Sequence, residues 1–171
     1  SLTYLIKKLV EENYEIFVLS KTGKAQKNIL MSMGAKIINY SASSLKSITL
    51  SFHISDKTKF LTLKWFKNLI KDFLYFFNGL ILSVKIINRY NPDLIYLNEY
   101  VTISFGIFAR IKRIPIVVHI RSLFIDQKFN FRIYLLKFAL KNISSYNLAI
   151  TNLEASQIGT NEGSKSRTII V

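Results

Sequence analysis

Four polar side chains close two short apolar runs. Asn98 and Glu99 follow the run at 94–97, and His119 and Arg121 fall at the end of the run at 116–120. A neutral imidazole has one donor and one acceptor nitrogen, which suits orienting a hydroxyl nucleophile without adding charge. An arginine offers a planar fork for a phosphate or carboxylate. Side chains alternate along a strand, so His119 and Arg121, two residues apart, are expected on the same side while the chain stays extended. Plainer readings stand beside these. A lone histidine near a strand end is more often a satisfied polar residue, and a strand-end acid such as Glu99 is often loop chemistry. Thr151, Asn152 and Glu154, after a later apolar run, are open to a helix-capping reading. His53 reads as a surface residue in a polar loop.

The stretch that must position these groups is NPDLIYLNEYVTISFGIFARIKRIPIVVHIRSLF, residues 91–124. Pro92 and Asp93 break the preceding helix, and Leu94, Ile95, Tyr96 and Leu97 form an apolar run of strand length. A helix-spaced segment follows, with Ile103, Ile107 and Ile111 apolar and Arg110, Lys112 and Arg113 facing out. The second run begins just after Pro115. Continuous apolar strands joined by a helix imply a βαβ crossover into a parallel sheet covered on both faces. Such sheets bind ligands at the carboxyl ends of their strands, where these polar residues lie.

The rest of the chain repeats the alternation. An amphipathic helix carries Leu2, Leu5, Ile6, Leu9 and Val10; EIFVLS (15–20) reads as a strand; 25–33 reads as a helix stopped by Gly34; AKIINY (35–40) reads as a strand. SITLSF (47–52) is a weaker strand candidate and 53–59 a loop. The longest helical pattern, about 60–90, sets Phe66, Leu69, Ile70, Phe73, Phe77, Leu80, Val84 and Ile87 on one face, with a weak point at Gly79. That face is expected in the core, with the lysines solvated; an interfacial membrane anchor is the competing reading. After a loop at 122–128 come a helix at about 130–142, the buried strand YNLAI (146–150), a short helical turn, a flexible run at 159–166 and a β-prone end at 168–171.

Composition narrows the function classes. The chain has 171 residues, half of them apolar, enough for a core in one domain. With no cysteine, two histidines and dispersed acids, it offers neither disulfides nor a paired-acid metal motif. No metal site and no bound cofactor are expected. The net charge of +14 favours polyanions, anionic membrane surface among them. Nucleic acid is not the expected partner, because the aromatics follow core periodicity and no recognition motif is present. No secretory signal or apolar run of spanning length is visible, so a cytoplasmic location is expected, peripheral at the inner face of the membrane.

In order, the helix, EIFVLS, GAKIINY, NPDLIYLNEY, an apolar helix, RIPIVVHIR and YNLAIT with its short helix resemble the amino-terminal domain of a family 4 (GT-B fold) glycosyltransferase. The likeness covers nearly the whole chain, and its most specific part is PDLIY followed at the usual distance by IPIVVHIR. It implies an α/β fold with a Rossmann-like parallel sheet and helices on both faces, the acceptor-side half of a retaining, generally metal-independent transferase. It implies that His119 lines the reaction centre and bonds sugar or acceptor hydroxyls. Arg121, Glu99, Asn98 and Ser122 are then the expected substrate-binding residues, Ser122 standing where the family often has an acid. The donor would be a nucleotide-sugar held mainly by a second domain, and the acceptor a glycan or lipid-linked glycan of the cell surface.

By the same resemblance, residues 1–171 form a single acceptor-side domain whose first strand and donor-binding domain lie outside this chain, so the chain alone is not expected to turn over. A non-catalytic basic module on anionic membrane or nucleic acid is the rival reading. A Rossmann dehydrogenase fragment is disfavoured, since no Gly-x-Gly-x-x-Gly occurs. Loss of a central strand leaves backbone donors and acceptors unpaired, each costly if buried. The 171-residue chain made alone is therefore expected to be marginally stable. Calorimetry checks this, and a cooperative, reversible melt at high temperature contradicts it.

Overall fold

The computed structural model describes residues 2–20, 23–39, 62–122, 131–158 and 167–170. The chain folds as mixed α/β, with parallel strands flanked by helices in a Rossmann-like manner. It divides into two compact units, Ser1–Lys46 and Ser47–Val171. The strand expected at 47–52 and the loops expected at 53–59, 123–128 and 159–166 lie outside the described residues.

In the first unit, α1 (Leu2–Glu11), β1 (Phe17–Val18), α2 (Lys24–Ser32) and β2 (Lys36–Ile37) follow one another, and β1 pairs with β2 in parallel. The strands are shorter than the apolar runs around them. Ile6, Leu30 and Ala35 form the core, with Leu2, Val10, Ile16, Val18 and Ile37 packed against it. The end of α2 shows why Gly34 stops it. Gly34 has φ 91°, its N–H donates to the Met31 carbonyl at 2.9 Å, and the Ala35 N–H donates to the Leu30 carbonyl at 3.1 Å. This pair of bonds is a Schellman cap, and it needs a residue that tolerates the left-handed region.

The second unit holds α3 (Leu63–Tyr90), β3 (Ile95–Leu97), a 3₁₀ turn (Tyr100–Thr102), α4 (Ser104–Ile111), β4 (Ile116–Ile120), α5 (Phe131–Asn142), β5 (Tyr146–Ala149), α6 (Asn152–Ile158) and β6 (Arg167–Ile170). Its four strands pair in parallel in the order β3-β4-β5-β6. The β-prone end of the chain thus closes the sheet as β6. One sheet face is the core: Leu97, Ile116, Val118, Ile120, Asn147 and Ala149 are buried. Asn147 is accommodated there because its Nδ2 donates to the Leu140 carbonyl at 3.3 Å and its Oδ1 accepts from the Ser144 hydroxyl at 2.9 Å. On the other face Val117, His119 and Leu148 are half-buried, and Tyr146, Arg167 and Ile169 are exposed.

α3 starts at Thr62, whose hydroxyl accepts from the Trp65 N–H, and ends at Asn91 in the left-handed region, just before Pro92. It runs without a break through Gly79. Its orientation corrects the expectation. Phe66, Ile70, Phe73 and Phe77 are exposed, Leu69, Leu80 and Val84 are half-buried, and of the predicted face only Ile87 is buried. The buried side is instead Asp72, Gly79, Leu82, Ser83, Ile86 and Ile87. Apolar residues occupy more of this helix's circumference than one face can bury, so periodicity alone does not choose which part turns inward. α3 packs on α4. No helix among the described residues is long and apolar enough to cross a membrane.

α4 reaches the sheet through Gly106, where an added Cβ would lie 2.9 Å from Ile143 Cγ2 and 3.4 Å from Ile116 Cδ1. Gly106→Ala gains up to about 1 kcal/mol of helix preference. Overpacking against Ile143 costs about 1–3 kcal/mol, so a net loss of stability is expected. Urea denaturation checks it, and the loss should shrink in an Ile143→Ala background if that contact is the cause.

Candidate functional site at the carboxyl rim of the sheet

The pairing of Leu97 with Val118 brings the carboxyl ends of β3 and β4 side by side. Asn98 and Glu99 continue from β3 at the level where β4 carries His119 and Ile120, and Arg121 and Ser122 follow directly. Asn98, Glu99, His119 and Ser122 are half-buried, and Arg121 is exposed. The five candidate residues therefore share one rim.

Tyr96, in sequence simply one of the apolar residues of β3, makes the contact that anchors this rim. It pairs with Val117, and its hydroxyl reaches diagonally across the sheet to His119 Nδ1 at 2.6 Å. Parallel neighbours in register point to the same face, so Tyr96, Val117 and His119 all lie on the less buried side. Even spacing from Asn98 was the available signal, but which β4 residue it met depended on register.

Charge follows from these surroundings. Burial, and then the Arg121 guanidinium, hold the His119 pKa below the ordinary value of 6.5. Burial raises the Tyr96 pKa above 10.0, with Arg121 opposing the shift. The phenol keeps its proton and the ring is neutral, so one of the two donates in the Tyr96–His119 bond and the other accepts, the direction following the imidazole tautomer. Nε2 is buried and has no hydrogen-bond partner among the described residues. The rim thus holds a half-buried imidazole with one ring nitrogen bonded and the other unsatisfied.

A second tyrosine braces the neighbouring segment. Tyr100 is fully buried in the 3₁₀ turn and its hydroxyl accepts from Ser122 Oγ at 3.3 Å. Glu99 starts that turn: its Oε1 accepts from the Tyr100 N–H at 3.1 Å, and its carbonyl accepts from the Thr102 hydroxyl at 2.9 Å. Burial raises the Tyr100 pKa, opposed by the Ser122 bond and assisted by Glu99. Glu99 is thus partly committed to local structure. So are the residues after β5. Glu154 Oε2 accepts from the Thr151 N–H at 2.8 Å and from the Thr151 hydroxyl, and that hydroxyl accepts from the Leu153 N–H at 3.2 Å. This is a capping box opening α6, and the bond from Thr151 holds the Glu154 carboxyl below the usual range.

The rim offers groups suited to an oxygen-rich ligand: a neutral imidazole at His119, an amide at Asn98, a hydroxyl at Ser122 and an exposed cationic fork at Arg121. Among the described residues, no three His, Asp or Glu side chains gather as a metal site would require. No family model matches this chain, and no curated protein matches it.

The lowered pKa of His119 sets a pH dependence. Below about 6.5 the unfolded chain takes up this proton more readily than the folded one. The stability tied to neutral His119 is complete above that value and falls as pH drops through the lowered folded value. Urea midpoints of the wild type and His119→Gln, compared between neutral and mildly acidic pH, should show the wild type losing more on acidification.

Proposed function

We propose that this chain is the acceptor-binding part of a retaining glycosyltransferase. In this reading a sugar passes from a nucleotide-sugar to a glycan or lipid-linked glycan of the cell surface, on the cytoplasmic side of the membrane. The observation that carries it is the hydrogen bond of Tyr96 to His119 on the carboxyl rim of a parallel sheet, where α/β folds receive their ligands. It holds the His119 ring at the strand end that Arg121 and Ser122 follow, with Nε2 unsatisfied among the described residues. The ordered resemblance of the surrounding strands to family 4 glycosyltransferases supports the same reading.

The chemistry asked of these residues is positioning. The His119 imidazole bonds an oxygen of the bound sugar or acceptor and fixes the angle at which the attacking hydroxyl meets the anomeric carbon. Neutrality matters, because a cationic ring would compete with Arg121 and hold no constant geometry across the working pH range. Arg121 binds an anionic group of the donor or acceptor through its fork. Stabilisation of the departing nucleoside diphosphate falls mainly to residues outside this chain.

The test uses the protein from the complete natural reading frame, offered nucleotide-sugars and glycan or lipid-linked acceptors, with product followed by chromatography. His119→Ala should lower the transfer rate by about 10²-fold through lost orientation, with folding intact. An unchanged rate would remove His119 from the mechanism, and transfer from none of the donors would remove the transferase reading. Tyr96→Phe should cost less. Loss of the hydroxyl bond changes the surroundings of the His119 ring, so the acid limb of the pH–rate profile should move, a shift that a purely structural role would not produce.

A further inference from the structure

The exposed side of α3 combines two features that are each ordinary alone. Leu63, Phe66, Ile70, Phe73, Phe77 and Ile81 follow one another at intervals of three or four residues, and all are exposed: 83% at Leu63, 60% at Ile70, 63% at Phe73 and 43% at Phe77. At 1.5 Å per residue this stripe is about 27 Å long. Lys64, Lys67, Lys71 and Lys85 lie along its border on the helix surface and are exposed as well. The one acid of the helix, Asp72, is 5% exposed and sits on the opposite, buried side. Apolar and cationic surface are thus arranged side by side, with negative charge kept off the outward face.

We infer that this face of α3 docks the protein on an anionic lipid surface, the helix lying in the plane of the interface. The apolar stripe enters the boundary between headgroups and acyl chains, and the lysines meet lipid phosphates. The uncharged run 73–84 has 12 residues, far short of the roughly 20 that span a bilayer, so the helix lies on the membrane rather than across it. Charge selects lipid over a second copy of the chain, because self-association would set like lysine borders together on molecules of net charge +14. Aromatic and aliphatic side chains in the centre of the face favour lipid over nucleic acid, whose phosphates would use the lysines alone. The inference stands independently of the transferase reading, since it involves none of the rim residues.

Vesicle co-sedimentation of the whole chain tests it, with phosphatidylcholine vesicles against vesicles containing phosphatidylglycerol at physiological salt. Partitioning should favour the anionic vesicles by at least about ten-fold. Phe73→Ser with Phe77→Ser should abolish it while leaving the circular dichroism spectrum and urea midpoint unchanged, because both rings are exposed. Lys64→Gln, Lys67→Gln and Lys71→Gln together should remove the anionic preference. Phe73→Trp in a Trp65→Phe background places a single indole on the stripe, which brominated lipid should quench. Equal binding to both vesicle types, full binding by the double serine variant, or no quenching overturns the inference. So does a concentration-dependent dimer abolished by the serine substitutions, or binding to a DNA oligonucleotide that displaces the protein from vesicles and survives those substitutions.

Discussion

The parallel pairing of β3 with β4 is the constraint on which the rest of the site depends. Ile95 meets Ile116, Tyr96 meets Val117 and Leu97 meets Val118, so the alternation of both strands is locked together. On one side Leu97, Val118 and Ile120 are buried. On the other Tyr96 and His119 touch. A slip of one residue would turn His119 into the core and bring Ile120 to the open side, losing both apolar burial and the Tyr96 bond. Hydrophobic burial on one face therefore fixes a polar contact on the other. The site needs no separate device to hold it in register.

The same division of labour runs through the rim. Tyr96 holds His119 from within the sheet, while Tyr100, buried in the turn after β3, holds Ser122. Both phenols have raised pKa values because they are desolvated, so both remain neutral. Two rigid aromatic side chains thus brace groups at the end of β4, and Arg121 between them stays exposed. An exposed cation beside a neutral imidazole suits a ligand that brings both hydroxyls and negative charge. Glu99 and Glu154 are drawn into helix-starting bonds instead, and their carboxylates are held in local structure.

α3 shows how much a sequence pattern leaves undecided when a helix is apolar over most of its circumference. Its inward side is built on Gly79, Leu82, Ser83, Ile86 and Ile87, with Asp72 a turn and more earlier. Phe66, Phe73 and Phe77 are left on the surface as part of an exposed apolar stripe.

The sequence by itself determined the alternation of helix and strand, the parallel α/β class, the stops at Gly34 and Pro92, and the clustering of Asn98, Glu99, His119 and Arg121 at strand ends. These are local matters: side-chain period, left-handed backbone and proline geometry act within a few residues. Strand lengths were overestimated at β1 and β2, because apolar content continues past the point where ladder pairing stops. Only the folded chain shows that Tyr96 partners His119, that Thr151 and Glu154 serve α6, and which side of α3 turns inward. Each of those depends on register or on the facing surface of another element, and a linear pattern does not contain the identity of its partner.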